Sequence, residues 1–106
     1  MARIWDLLGL RLADLDDRER QSIRGRYEGG MRISFIRAGS PAARHGMRIG
    51  DILVGLDNFQ TLGSDNLRYI LGDDRVQQMA QLSFQIVRAG SPQPLQGNMD
   101  LRGARR

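Results

Sequence analysis

The stretch GSPAARHGMRIGDILVGLDN, Gly39 to Asn58, decides the fold of this chain. Ser40 ahead of Pro41 marks a helix start. A serine hydroxyl at the cap accepts from an amide of the first turn, and proline at the first helical position gives up an N–H that has no partner there. Gly46 stops this helix, PAARH, after one turn. Gly50 and Asp51 then make a tight corner. Both glycines suit backbone of positive φ, and the Asp51 carboxylate is placed to accept from turn amides. The corner delivers ILVGL, residues 52–56, with apolar residues on both faces, which predicts a central strand covered on both sides.

Working outward, LGLRLADL alternates Leu8, Leu10 and Leu12 with Gly9, Arg11 and Ala13, the period of a half-buried first strand. Acidic Asp14, Asp16 and Asp17 and basic Arg24 and Arg26 bracket a short helix from Asp16 to Ile23, matching the helix dipole at both ends. Gly29 and Gly30 break the chain before a second strand in MRISFIR. Downstream, Ser64 or Asp65 caps a helix of two turns in which Leu67, Ile70 and Leu71 share a face, with Gly72 as its stop. QLSFQIVR and PLQGNMDL alternate as two further strands. RAGSP occurs at residues 37–41 and again at 88–92, each time closing a strand. The flanks diverge, so this is one turn solution used twice rather than a structural repeat.

Composition sets the outer bounds. A chain of 106 residues with 41% hydrophobic and 26% charged residues suits one core, over residues 1–102, with residues 103–106 as a basic tail. No apolar run approaches the roughly 20 residues that a membrane span requires. The N-terminus lacks the apolar core and cleavage site of a signal peptide, so any export signal lies outside this chain. The net charge of +4 comes from arginines scattered among carboxylates, which excludes a concentrated nucleic-acid face. There is no cysteine and a single histidine, His45, so neither a thiolate nor a histidine metal set is available, and no cofactor is expected. The carboxylates of DLDDRE serve a helix start better than a metal.

Strand, helix, GGMRISFIRAGSPAARHGMRIGDILVGLDN, helix DNLRYIL and strand LSFQIVRAG, in that order, resemble a PDZ domain of the type appended to HtrA/Deg and other bacterial trypsin-like serine proteases. The segment G-S-P-A-A-x-x-G-h-x-x-G-D-h-h-h, with h apolar, carries the resemblance, which extends from about Arg3 to Leu101. It implies a mainly β fold: a five- to six-stranded, partly open antiparallel sandwich or barrel with two capping helices and the circularly permuted strand order of bacterial forms. It also implies a non-catalytic module that takes a C-terminal or extended peptide as an added strand, in a groove between the first strand and the helix that bears Leu67.

Carried over residue by residue, the resemblance maps the carboxylate loop onto Arg3, the intervening Ile4-Trp5-Asp6-Leu7, and Leu8-Gly9-Leu10. Gly9 is then the residue that turns backbone amides toward one anion. Leu12, Leu67, Ile70 and Leu71 line the groove. The partners implied are protein C-termini or extended peptides, the protease domain of the same parent included, and the compartment implied is the periplasm or cell envelope. His45, on the small helix, has a surface or capping role. A different class of function is open to the same residues: an assembly domain whose groove is filled by its own chain or a neighbouring protomer.

Overall fold

A computed structural model describes residues 2–23, 27–57, 59–91 and 93–101. Six strands form one antiparallel sheet: β1 (Leu10–Asp14), β2 (Met31–Ile36), β3 (Ile52–Leu56), β4 (Phe59–Gln60), β5 (Gln81–Val87) and β6 (Leu95–Asp100). The order across the sheet is β1-β2-β3-β5-β6, with β4 paired to β3. Five short helices accompany it among the described residues: α1 (Ala2–Leu7), α2 (Asp17–Ser22), α3 (Pro41–Arg44), α4 (Ser64–Gly72) and α5 (Asp74–Gln78). This is a mainly β, PDZ-like architecture, as the order of elements implies, with more helix than the two capping helices expected.

The Gly39 to Asn58 stretch folds as its chemistry dictates. Ser40 Oγ accepts from the Ala43 amide at 3.2 Å and caps α3, with Pro41 at the helix start. Gly46 and Gly50 take φ of +82° and +97°, conformations costly for any residue with a Cβ. Asp51 is buried, and its carboxylate accepts from the Arg48 amide at 2.9 Å. All five residues of β3 are buried. Ile52 and Val54 pack with Leu15 on one face of the sheet, and Leu53 and Leu56 join the main core on the other. Leu53 and Leu56 share a face only because the register against β5 slips at Val54, which resets the period-two alternation. Thr61 closes that irregularity: its amide donates to Val54 O and its hydroxyl to Leu53 O.

Elsewhere the structure departs from the sequence-based expectations in four places. Residues 2–7 are a helix, where the resemblance puts a loop. The first strand begins at Leu10, so Leu8 and Gly9 precede it. The segment after β3 turns back at Asp57, which has φ +52°, to pair Leu56 with Phe59 as a short hairpin. Helix α4 starts from Gly63 with no side-chain cap; Asn66 Oδ1 instead accepts from the Leu62 amide at 2.9 Å. The fourth is α5, capped by Asp73, which alternation alone does not reveal. Helix α2 does follow the acidic start: Asp16 and Glu19 form a reciprocal capping box, and Glu19 also pairs with Arg32 of β2 at 2.7 Å.

Candidate functional site

Strand β1 is the margin of the sheet. It pairs with β2 alone, and its other side meets no strand among the described residues. The register shows which of its backbone groups face outward. The Arg37 amide donates to Gly9 O, which makes the neighbouring pair, Leu10 with Ile36, a non-hydrogen-bonded one. Opposite Leu12 stands Ile33, and Ile33 spends its N–H on Asp51 O and its carbonyl on the Gly50 amide, both on the β3 side. The amides and carbonyls of Leu10 and Leu12 therefore point away from β2. Between these two pairs Ser34 is the extra residue of a bulge, and its hydroxyl donates to Arg11 O at 3.1 Å.

The apolar side of this margin is well defined. Leu8, Leu10, Leu67, Ile70 and Leu71 belong to one buried cluster, with Leu12 half-buried against it. The side chains expected in one groove are thus together, but all except Leu12 are already covered. What covers them is α1, which packs against both β1 and α4 and contributes Ile4 to the cluster and Leu7 at its margin.

Gly9 ends α1. Its φ is +80°, and its amide donates to Trp5 O at 3.0 Å, the bond from a left-handed residue to the carbonyl four positions back that closes many helices. The same amide also reaches Ile4 O at 3.0 Å, and the Leu8 amide reaches Ile4 O at 2.9 Å. Arg37 completes the cap by donating from Nη2 to Trp5 O and Asp6 O, at 3.1 and 3.3 Å. A Cβ on Gly9 would coincide with the Ser40 side chain, so α1, the Gly9 turn and the cap of α3 are fitted to one another. Of the amides mapped onto the carboxylate loop, those of Leu8 and Gly9 are engaged within the chain and that of Leu10 faces the open margin. Arg3 lies in α1, and its side chain falls outside the described residues.

The outer face beside β1 carries a stack that the sequence reading leaves unassigned. The Arg11 guanidinium lies 4.8 Å from the centre of the Trp5 ring and 5.9 Å from that of Phe35, and the two rings are 5.7 Å apart. Phe35 is 49% exposed, which is high for a ring of that size. At the far side, His45 Nε2 accepts from the Asp100 amide at 3.1 Å and ties α3 to β6, a structural bond in keeping with its expected capping role. No group of three or more metal-ligating residues occurs among the described residues.

Solved structures with the same architecture are similar to this chain at low identity. The PDZ domain of HtrA3, solved with a phage-derived ligand (FGRWV), superposes with a TM-score of 0.62 and 18% identity, over 88% of this chain and 81% of that one. The PDZ domain of EpsC from Vibrio cholerae, residues 204-305, gives 0.60 and 17%, over 93% and 82%. A shorter form of it, residues 219-305, gives 0.56 and 20%, over 89% and 95%. No family model matches the sequence, and none of the curated proteins matches it either. Strand order, the corner at Asp51 and these superpositions agree on one conclusion: this chain has the PDZ fold.

Proposed function

We propose that this chain is a non-catalytic peptide-binding module that captures a C-terminal or extended segment of a partner protein as an additional strand on β1. One observation carries the reading: the backbone groups of Leu10 and Leu12 face outward at an unpaired sheet margin, beside an apolar wall continuous with Leu67, Ile70 and Leu71. A few ladder bonds at about 1 kcal/mol each and one buried side chain at about 1.5–3 kcal/mol give a micromolar, reversible complex. The resemblance of the Gly39 to Asp57 segment to HtrA-type domains supports a trypsin-like serine protease of the periplasm or cell envelope as parent. There the module would present substrate to the protease domain or regulate it.

A second reading, an assembly domain with a self-occupied groove, is favoured by α1 lying against both walls. Amide resonances separate the two. Titration of the labelled protein with peptides selected from a random display library shifts and protects Leu10 and Leu12 if strand addition occurs. Concentration-dependent self-association, with the β1 amides unmoved by any selected peptide, overturns strand addition in favour of assembly.

A further inference from the structure

We infer that the β1 margin reads an internal extended segment of its partner and gives a free chain end no advantage. The inference rests on the strand-addition reading and fixes the class of partner that reading takes. A terminal carboxylate needs several unpaired amides converging on one point, with positive potential behind them. At the start of β1 this chain supplies the opposite. The amides of Leu8 and Gly9 are consumed by the carbonyls of Ile4 and Trp5, because Gly9 is the closing residue of α1. The C-terminal end of a helix presents carbonyl oxygens and a partial negative charge, which repels an anion, and the Asp6 carboxylate is exposed on the last turn. Arg37, the cation nearest this turn, spends its Nη2 on the carbonyls of Trp5 and Asp6 and stacks 5.7 Å from the centre of the Trp5 ring. The pocket for a last side chain is likewise filled, since Ile4, Leu8, Leu67 and Ile70 are all buried in one cluster.

What stays open is the ladder itself at Leu10 and Leu12, together with the half-buried Leu12 side chain. A strand pairs there through its own backbone, and it runs past the α1 end of the margin without needing to stop.

The test uses one set of random short peptides displayed in two formats: at a free C-terminus, and flanked on both sides by Gly-Ser spacers. Flanked peptides should yield binders as tight as terminal ones, and amidating the C-terminus of any terminal-format binder should change its Kd by less than about twofold. Hydrogen exchange at Leu8 and Gly9 should be the same with and without a bound peptide, while exchange at Leu10 and Leu12 slows. Loss of about tenfold or more on amidation, with no binder in the flanked format, overturns the inference and leaves strand addition standing. Failure of both formats to yield a binder overturns strand addition itself, and the inference with it.

Discussion

Arg88 and Asp51 form a two-point ion pair: Nε donates to Oδ1 at 2.9 Å and Nη2 to Oδ2 at 2.8 Å, with the Asp51 side chain 3% exposed and that of Arg88 21%. Nη2 also donates to Gly46 O at 2.9 Å, so one guanidinium clamps both ends of the corner that leads into β3. The Asp51 hydrogen bonds raise the Arg88 pKa above its ordinary value, outweighing the opposing effect of burial. This arginine opens the second RAGSP, whereas Arg37, which opens the first, caps α1. The duplicated pentapeptide ends two strands of one sheet, and each copy lends its arginine to a different buried backbone task.

Breaking this pair should be asymmetric. Arg88 reaches solvent and can swing out if Asp51 is neutralised, but Asp51 cannot leave its site if Arg88 is removed. Arg88→Met should therefore cost about 3 kcal/mol and Asp51→Asn about half that, as read by urea unfolding. Equal costs, or a cost below about 0.5 kcal/mol for Arg88→Met, would show that the corner stands without the clamp.

The corner was legible because its signals are local: a cap residue, a proline, two glycines and an aspartate act within a few positions of one another. Strand β3 was legible for the same reason, since five consecutive apolar residues admit few other placements. Helix α1 was hidden by a competing pattern. Ile4, Leu7 and Leu8 have helical spacing and Gly9 is a proper stop, yet Leu8, Leu10 and Leu12 alternate as a strand, and Leu8 belongs to both series. Packing against α4 decides for the helix, and no local pattern records that contact. The pairing of Arg88 with Asp51 spans 37 positions and was invisible for the same reason.

Gly9→Ala should be among the most damaging small substitutions. The added methyl meets the Ser40 side chain and the backbone holds φ +80°, so about 2–4 kcal/mol is expected from thermal unfolding. Ser40→Gly frees that space at the cost of a helix cap, about 1 kcal/mol. The double variant should therefore lose less than the sum of the two single variants. Strict additivity would mean that the steric contact is not what fixes Gly9.

Acid should loosen α5 from its cap. The side-chain hydrogen bond from Arg75, followed by the bond from the Arg75 amide, holds the Asp73 pKa below its ordinary value of 3.8. A carboxylate depressed in the folded state stabilises above its unfolded pKa and loses that contribution as pH falls through the folded one. The start of α5 should thus be unchanged from neutrality down to about pH 4 and loosen below it. The Arg75 amide resonance should titrate with a midpoint under 3.8, and Asp73→Asn should abolish that titration; a midpoint at or above 3.8 contradicts the assignment.

Leu12→Pro separates the fold from the binding surface. Proline removes one N–H, and at Leu12 that N–H points away from β2, so no ladder bond inside the sheet is lost. The half-buried leucine side chain is exchanged for a smaller apolar one, and the expected cost to stability is about 1–2 kcal/mol. Ala13→Pro is the control. Its position pairs with Arg32 in the alternate register, where the amide faces β2, so it should cost about 3 kcal/mol or more. If an added strand docks on β1, Leu12→Pro should weaken a selected peptide by about tenfold while the domain stays folded, because the ladder loses a donor and meets the proline ring. Undiminished binding by a folded Leu12→Pro protein would place the partner on another face. The exposed stack of Arg11, Trp5 and Phe35 would then be the first surface to probe, by Arg11→Ala, which removes the cation lying over both rings.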